Sequence, residues 1–219
     1  MAKYSSPLVY LITDRRMLPL TNSKTQVNSL IEFVSSAIKA GVDMIQIRER
    51  DLPTRELYSI AEAVVPEARA RGVRMLVNDR ADVAACASAG VHLTTRSLPA
   101  RVVREVFGPE MAVGVSTHNM GEAMAAEQGG ADFVVFGPVF DTESKRAFGP
   151  PVGVEALRRV SGRLSIPVIA LGGVKLGNFR QALEAGASGV AAISLFAGGE
   201  DMAGLVKTIK GFGAAGSGS

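Results

Sequence analysis

IPVIALGGV, residues 166–174, is an apolar, largely β-branched run that ends on the glycine pair Gly172-Gly173, and GVAAIS, residues 189–194, repeats that pattern after one intervening segment. Runs that are apolar at nearly every position are the mark of strands covered on both faces, as in parallel sheets. The segment between them, GNFRQALEAGA, carries helix formers and ends on Ala-Gly, the usual helix stop. Strand, helix and strand in this order make a βαβ unit. Gly172 and Gly173 have no Cβ, so the turn can adopt unusual φ and come close to a ligand, while Ser194 adds a hydroxyl donor. Backbone N–H groups gathered after two neighbouring strands would cradle a phosphate, with Gly172, Gly173, the Ile193 backbone and Ser194 as its contacts. Read more plainly, the glycine pair is a strand-to-helix turn.

Outward from that unit the same alternation continues through the chain. Strands are expected at Val9–Ile12, Met44–Arg48, Val73–Val77, Gly90–Leu93, Ala112–Val115, Phe133–Phe136, Pro167–Leu171 and Gly189–Ile193. Amphipathic stretches such as VNSLIEFVSSAIKAG and TRELYSIAEAVVPEARARG separate them. Several strands share a small-residue entry, seen as AGVD at 40–43, GGAD at 129–132 and AGASG at 185–189. The spacings vary too much for a solenoid. No GxGxxG follows Val9–Ile12, which removes the dinucleotide version of an open sheet. Eight βα units predict an α/β fold, a (β/α)8 TIM barrel formed as a single domain by residues 1–212, with 213–219 a flexible Gly/Ser tail.

Composition narrows the partners. The 219 residues carry a net charge of +3 with acidic and basic groups interleaved, and aromatics make up 5%. A base-stacking surface needs more, so nucleic acid is not an expected partner. No apolar run reaches membrane-spanning length and the N-terminal residues do not read as a signal peptide, so a cytoplasmic protein without a membrane partner is expected. The single cysteine, Cys86, sits in VAACASAG and is expected to be a buried small residue. An apolar helix face reads alike whether it covers the barrel or a second copy, so a homo-oligomer stays open.

In a barrel, chemistry belongs at the C-terminal ends of the strands. That filter selects Thr13 and Asp14 after the first strand, Gln46, Arg48 and Arg50 on the second, and Asn78-Asp79 after the third. It adds His92, Thr94, Thr95 and Ser97 from the fourth, Ser116 and His118 from the fifth, and the loop GPVFDTESKRAFGPP after the sixth. These positions are expected to share one mouth. Of the two histidines, His92 lies inside the apolar GVHL and reads as structural.

In chain order, YLITD, QIRER, VNDR, GVHL, GVSTH, ADFVVFGPVF, TESK, PVIALGG and GVAAIS resemble the thiamine phosphate synthase and TenI family of (β/α)8 barrels, from about Tyr10 to Leu195. The resemblance implies thiamine biosynthesis with a thiazole phosphate as substrate. One branch, the synthase, couples a pyrimidine diphosphate to the thiazole phosphate with Mg²⁺ and loss of pyrophosphate. The TenI branch interconverts tautomers of a carboxythiazole phosphate and needs no cofactor.

For the synthase, the resemblance assigns Gln46, Arg48 and Asn78 to the diphosphate and Asp79 to the metal. Arg50 stands where that branch has a lysine, and Ser97 stands where it has a second metal-binding aspartate. Thr142, Ser144 and Lys145 match the segment that wraps the diphosphate. For the tautomerase, His118 matches the catalytic histidine, and proton transfer near neutral pH suits an imidazole. Because Arg50 and Ser97 remove two polar features of the transfer mechanism, tautomerisation by His118 is the preferred expectation, transfer is the alternative, and a non-catalytic phosphate-binding barrel is a third.

Overall fold

Residues 6–18, 25–142, 146, 149–197 and 201–212 are described by the computed structural model. Eight strands, β1 (Leu8–Ile12), β2 (Met44–Ile47), β3 (Arg74–Asn78), β4 (Gly90–Leu93), β5 (Val113–Thr117), β6 (Phe133–Phe136), β7 (Val168–Leu171) and β8 (Gly189–Ala192), pair in parallel and in chain order, and β1 closes on β8. This is the expected TIM barrel. The ends differ by a residue or two: β5 runs on to Thr117, β3 includes Asn78, and β8 stops at Ala192, leaving Ile193 in the turn.

Helices α1 (Gln26–Ala40), α2 (Thr54–Ala70), α3 (Ala81–Cys86), α4 (Ala100–Phe107), α5 (Met120–Gln128), α6 (Gly153–Arg163), α7 (Phe179–Glu184), α8 (Ser194–Ala197) and α9 (Met202–Lys210) surround the strands. The α1 start is fixed by Thr25, which accepts the Asn28 amide, and its end by Gly41 at φ 85°. Two of the small-residue entries, those ending in aspartate, make the same kind of tie. In AGVD, Asp43 accepts the Val9 amide at 2.8 Å and binds Lys210 at 2.7 Å. In GGAD, Asp132 accepts the Val113 amide and pairs with Arg104, each at 2.6 Å. Each aspartate thus ties the start of its own strand to the strand before it.

Side chains alternate across the strands, so one parity fills the lumen and the other meets the helices. Tyr10, Ile12, Met44, Leu76, Phe133, Val135, Ile169 and Ala191 form the inner cluster. Phe133 enters over Gly114, where a Cβ would collide with its ring, and it meets Tyr10 edge-on at 5.9 Å. Burying a ring of this size contributes about 1.5–3 kcal/mol. The larger cluster lies between sheet and helices.

Cys86 corrects its expectation, because it is exposed. The short α3 spends its inward face on Ala81, Val83 and Ala84, and a rotation of about 100° per residue sets positions 85 and 86 outward. Residues 213–219, expected to be a tail, lie outside the described residues.

Candidate active site

The lumen parity continues past the hydrophobic layer to the C-terminal mouth, where it turns polar. On β2 it presents Gln46 and then Arg48; on β3, Asn78; on β4, His92; on β5, Ser116 and then His118. Gln46 is buried near the Tyr10 hydroxyl, and its Nε2 makes no hydrogen bond of good geometry among the described residues. A buried amide donor whose hydrogen bonding is incomplete is uncommon, which makes the lumen there suited to a polar group.

His92 is buried with both ring nitrogens engaged: Nδ1 lies 3.0 Å from the Tyr10 hydroxyl and Nε2 lies 2.8 Å from Ser116 Oγ. Burial, helped by the positive charge of Arg48, pulls its pKa down from 6.5 to about 3, so the ring is neutral. Its structural role stands as expected, with the addition that it holds Ser116 in place. Arg48 is itself partly buried, and loss of water together with the neighbouring Arg50 lowers its pKa.

Asp79 sits at φ 65° in a three-residue turn closed by the Arg80 amide, which donates to Asn78 O at 2.8 Å. Backbone in this region costs on the order of 1–3 kcal/mol and gathers at functional sites. The Ser97 hydroxyl donates to the Asp79 carboxylate, while the Thr94 amide donates to Ser97 at 2.6 Å. Two oxygen-bearing side chains from different loops therefore meet at the lip, one of them the exposed carboxylate of Asp79. Hard oxygen ligands of this kind fit Mg²⁺, which commonly takes one or two carboxylates and completes its shell with substrate oxygens and water. Among the described residues no three His, Cys, Asp or Glu side chains gather as a cage, so that completion would fall to the substrate.

His118 is exposed at the rim, with Nδ1 at 2.5 Å from Gly137 O. A carbonyl only accepts, so Nδ1 is the donor in this contact, and in the neutral ring Nε2 is then the acceptor nitrogen. The Glu122 carboxylate accepts the His118 amide at 2.7 Å, fixing the backbone beneath the ring.

Gly172 and Gly173 take φ 95° and 64°. Their lack of a Cβ has a neighbour-imposed reason too: a Cβ on Gly172 would lie 2.5 Å from Pro138 Cα, and one on Gly173 would lie 2.5 Å from Asp141 O. The β6 loop extends along β7, with the Val139 amide donating to Leu171 O at 2.8 Å and the Phe140 amide to Gly172 O at 3.0 Å. Asn178 holds the next turn by donating to Gly173 O and accepting the Lys175 amide. Ile193 is partly buried and Ser194 exposed at the corresponding end of β8. Thr142 follows the loop section that packs on Gly173; Ser144 and Lys145 lie outside the described residues. Arg50 is exposed at the lip.

One group escaped the motif reading. Glu49, between Arg48 and Arg50, is buried and pairs with Arg15 at 3.0 Å. Parity points it away from the lumen, and a carboxylate on a buried outward position requires a cation. That requirement was the available signal.

Comparison with known proteins agrees with this architecture. Residues 9–196 match the family described as thiamine monophosphate synthase. A thiamine-phosphate synthase of Roseiflexus sp. is 39% identical over 195 residues, covering 89% of this chain and 80% of the relative. One from Clostridium novyi is 37% identical over 202 residues, covering 92% and 96%. Among solved structures, thiamine phosphate pyrophosphorylase from Pyrococcus furiosus superposes with a TM-score of 0.80 at 34% identity, covering 92% of this chain and 93% of that one. The chain belongs to the thiamine monophosphate synthase family and is an enzyme of thiamine biosynthesis.

Proposed function

We propose that this chain is a thiamine-phosphate synthase, joining a pyrimidine diphosphate to a thiazole phosphate with release of pyrophosphate. The observation that carries this reading is likeness to synthases of that name at 37–39% identity across about nine-tenths of the chain. It reverses the order expected from Arg50 and Ser97, which placed tautomerisation first. Ser97 is compatible with transfer, since its hydroxyl donates to the Asp79 carboxylate and so keeps an oxygen beside it.

Arg48 and Arg50 face the diphosphate as charged donors, and Asn78 and the buried Gln46 amide donate hydrogen bonds from the lumen side. Ser116, held by His92, orients the pyrimidine end of the substrate. Thr142, Ser144 and Lys145 would contact the diphosphate, as the resemblance of TESK implies. Gly172, Gly173, the Ile193 backbone and Ser194 bind the thiazole phosphate. Asp79, with Ser97 beside it, would hold Mg²⁺, which when bound neutralises charge on the departing pyrophosphate. The bond between the pyrimidine methylene carbon and the diphosphate oxygen breaks, and that carbon forms its new bond to the thiazole nitrogen.

Incubation with both precursors and Mg²⁺ is expected to yield thiamine phosphate and pyrophosphate in equal amounts. Asp79→Ala should lose that product while remaining folded; full activity in the variant would remove Asp79 from the metal role. A second reading keeps one specific observation in its favour: the Nε2 lone pair of His118 at the rim could move a proton on a carboxythiazole phosphate without metal.

A further inference from the structure

Glu49 lies on the outward parity at the end of β2, yet its neighbours in sequence are the two arginines of the proposed diphosphate site. Its carboxylate accepts the Thr13 hydroxyl at 2.6 Å, the Arg15 amide at 3.2 Å on both oxygens, and Arg15 Nη1 at 3.0 Å. The same Thr13 hydroxyl accepts the Arg48 amide at 3.0 Å. Beyond Arg50, Asp51 takes both terminal nitrogens of Arg15 at 2.7 and 2.8 Å. One guanidinium from the β1 end therefore grips the backbone segment on either side of Arg50, and one hydroxyl joins the Glu49 carboxylate to the Arg48 backbone.

A carboxylate occupied by this many donors is poorly placed to act as a base or metal ligand. A buried ion pair is also a weak source of stability compared with apolar packing, because desolvation offsets much of its attraction. What it supplies is register, since charge-assisted bonds of fixed direction hold two loops in one arrangement. We infer that Glu49 is a positioning residue: with Thr13 and Arg15 it sets the end of β2 so that Arg48 and Arg50 meet a diphosphate together. This inference rests on the transfer reading given above.

Calorimetric titration with inorganic pyrophosphate and Mg²⁺ tests it on four proteins: the unaltered chain, Glu49→Gln, Thr13→Val and Thr13→Ser. Misplaced arginines should weaken pyrophosphate binding by about tenfold or more in Glu49→Gln and Thr13→Val. Thr13→Ser, which keeps the hydroxyl, should bind like the unaltered chain. In steady-state assays, KM for the pyrimidine diphosphate should rise while KM for the thiazole phosphate stays within about twofold. Circular dichroism establishes which variants are folded, and Thr13→Val decides the matter if Glu49→Gln does not fold. Unchanged pyrophosphate binding in a folded Glu49→Gln or Thr13→Val overturns the positioning role alone. Failure of the unaltered chain to bind pyrophosphate overturns the transfer reading, and the inference with it.

Discussion

His92 shows how one buried side chain couples the site to stability. Its folded pKa of about 3 lies below the unfolded value of 6.5, so the unfolded chain binds the extra proton across that window. Stability from keeping the ring neutral is intact above pH 6.5 and is lost as pH falls toward 3. Between pH 8 and pH 5, urea unfolding should show about 2 kcal/mol more loss for the unaltered chain than for His92→Asn. Equal losses would mean that the ring is not held neutral by burial. A residue-level prediction also follows at Ser97, whose oxygen touches Asp79. Ser97→Asp would add a second carboxylate, and titration of Mg²⁺ in the presence of pyrophosphate should show affinity rising by about tenfold or more. The positions of Gln46, Arg48, Asn78, Asp79, Ser116 and His118 at one mouth were legible because strand parity and strand ends are sequence properties. The Arg15, Glu49 and Asp51 cluster was not, since its members meet across a turn rather than along a motif.

Among the elements, the junction of the β6 loop with β7 governs the shape of the proposed phosphate side. The glycine pair was legible as a turn with positive φ, but its packing on Pro138 and Asp141 depends on where the β6 loop goes, which local sequence does not encode. Gly173→Ala places a Cβ against Asp141 O in a left-handed backbone and should cost about 1–3 kcal/mol in urea unfolding. Gly177→Ala is the control, because a Cβ there meets nothing within 4 Å, and it should shift stability by less than about 0.5 kcal/mol. Equal effects at the two positions would deny the loop contact. The α3 segment illustrates a different boundary of sequence reading: its alanines look alike, and only the rotation of a six-residue helix decides that Cys86 faces out.

For the whole molecule, eight apolar runs separated by helices determined closure, and closure brought residues from 46 to 194 to one rim. No helix among the described residues is long and apolar enough to cross a membrane. Which of two chemistries this rim performs was less legible, because Arg50 and Ser97 depart from the synthase pattern locally while the relationship spans the full barrel. The most direct measurement offers one preparation of the protein both substrate sets, the pyrimidine diphosphate with thiazole phosphate and the carboxythiazole phosphate alone, with and without Mg²⁺. The account predicts thiamine phosphate formed only with Mg²⁺ and at a rate exceeding any isomerisation. Absence of thiamine phosphate at every Mg²⁺ concentration, together with metal-independent isomerisation that His118→Asn abolishes, would contradict it.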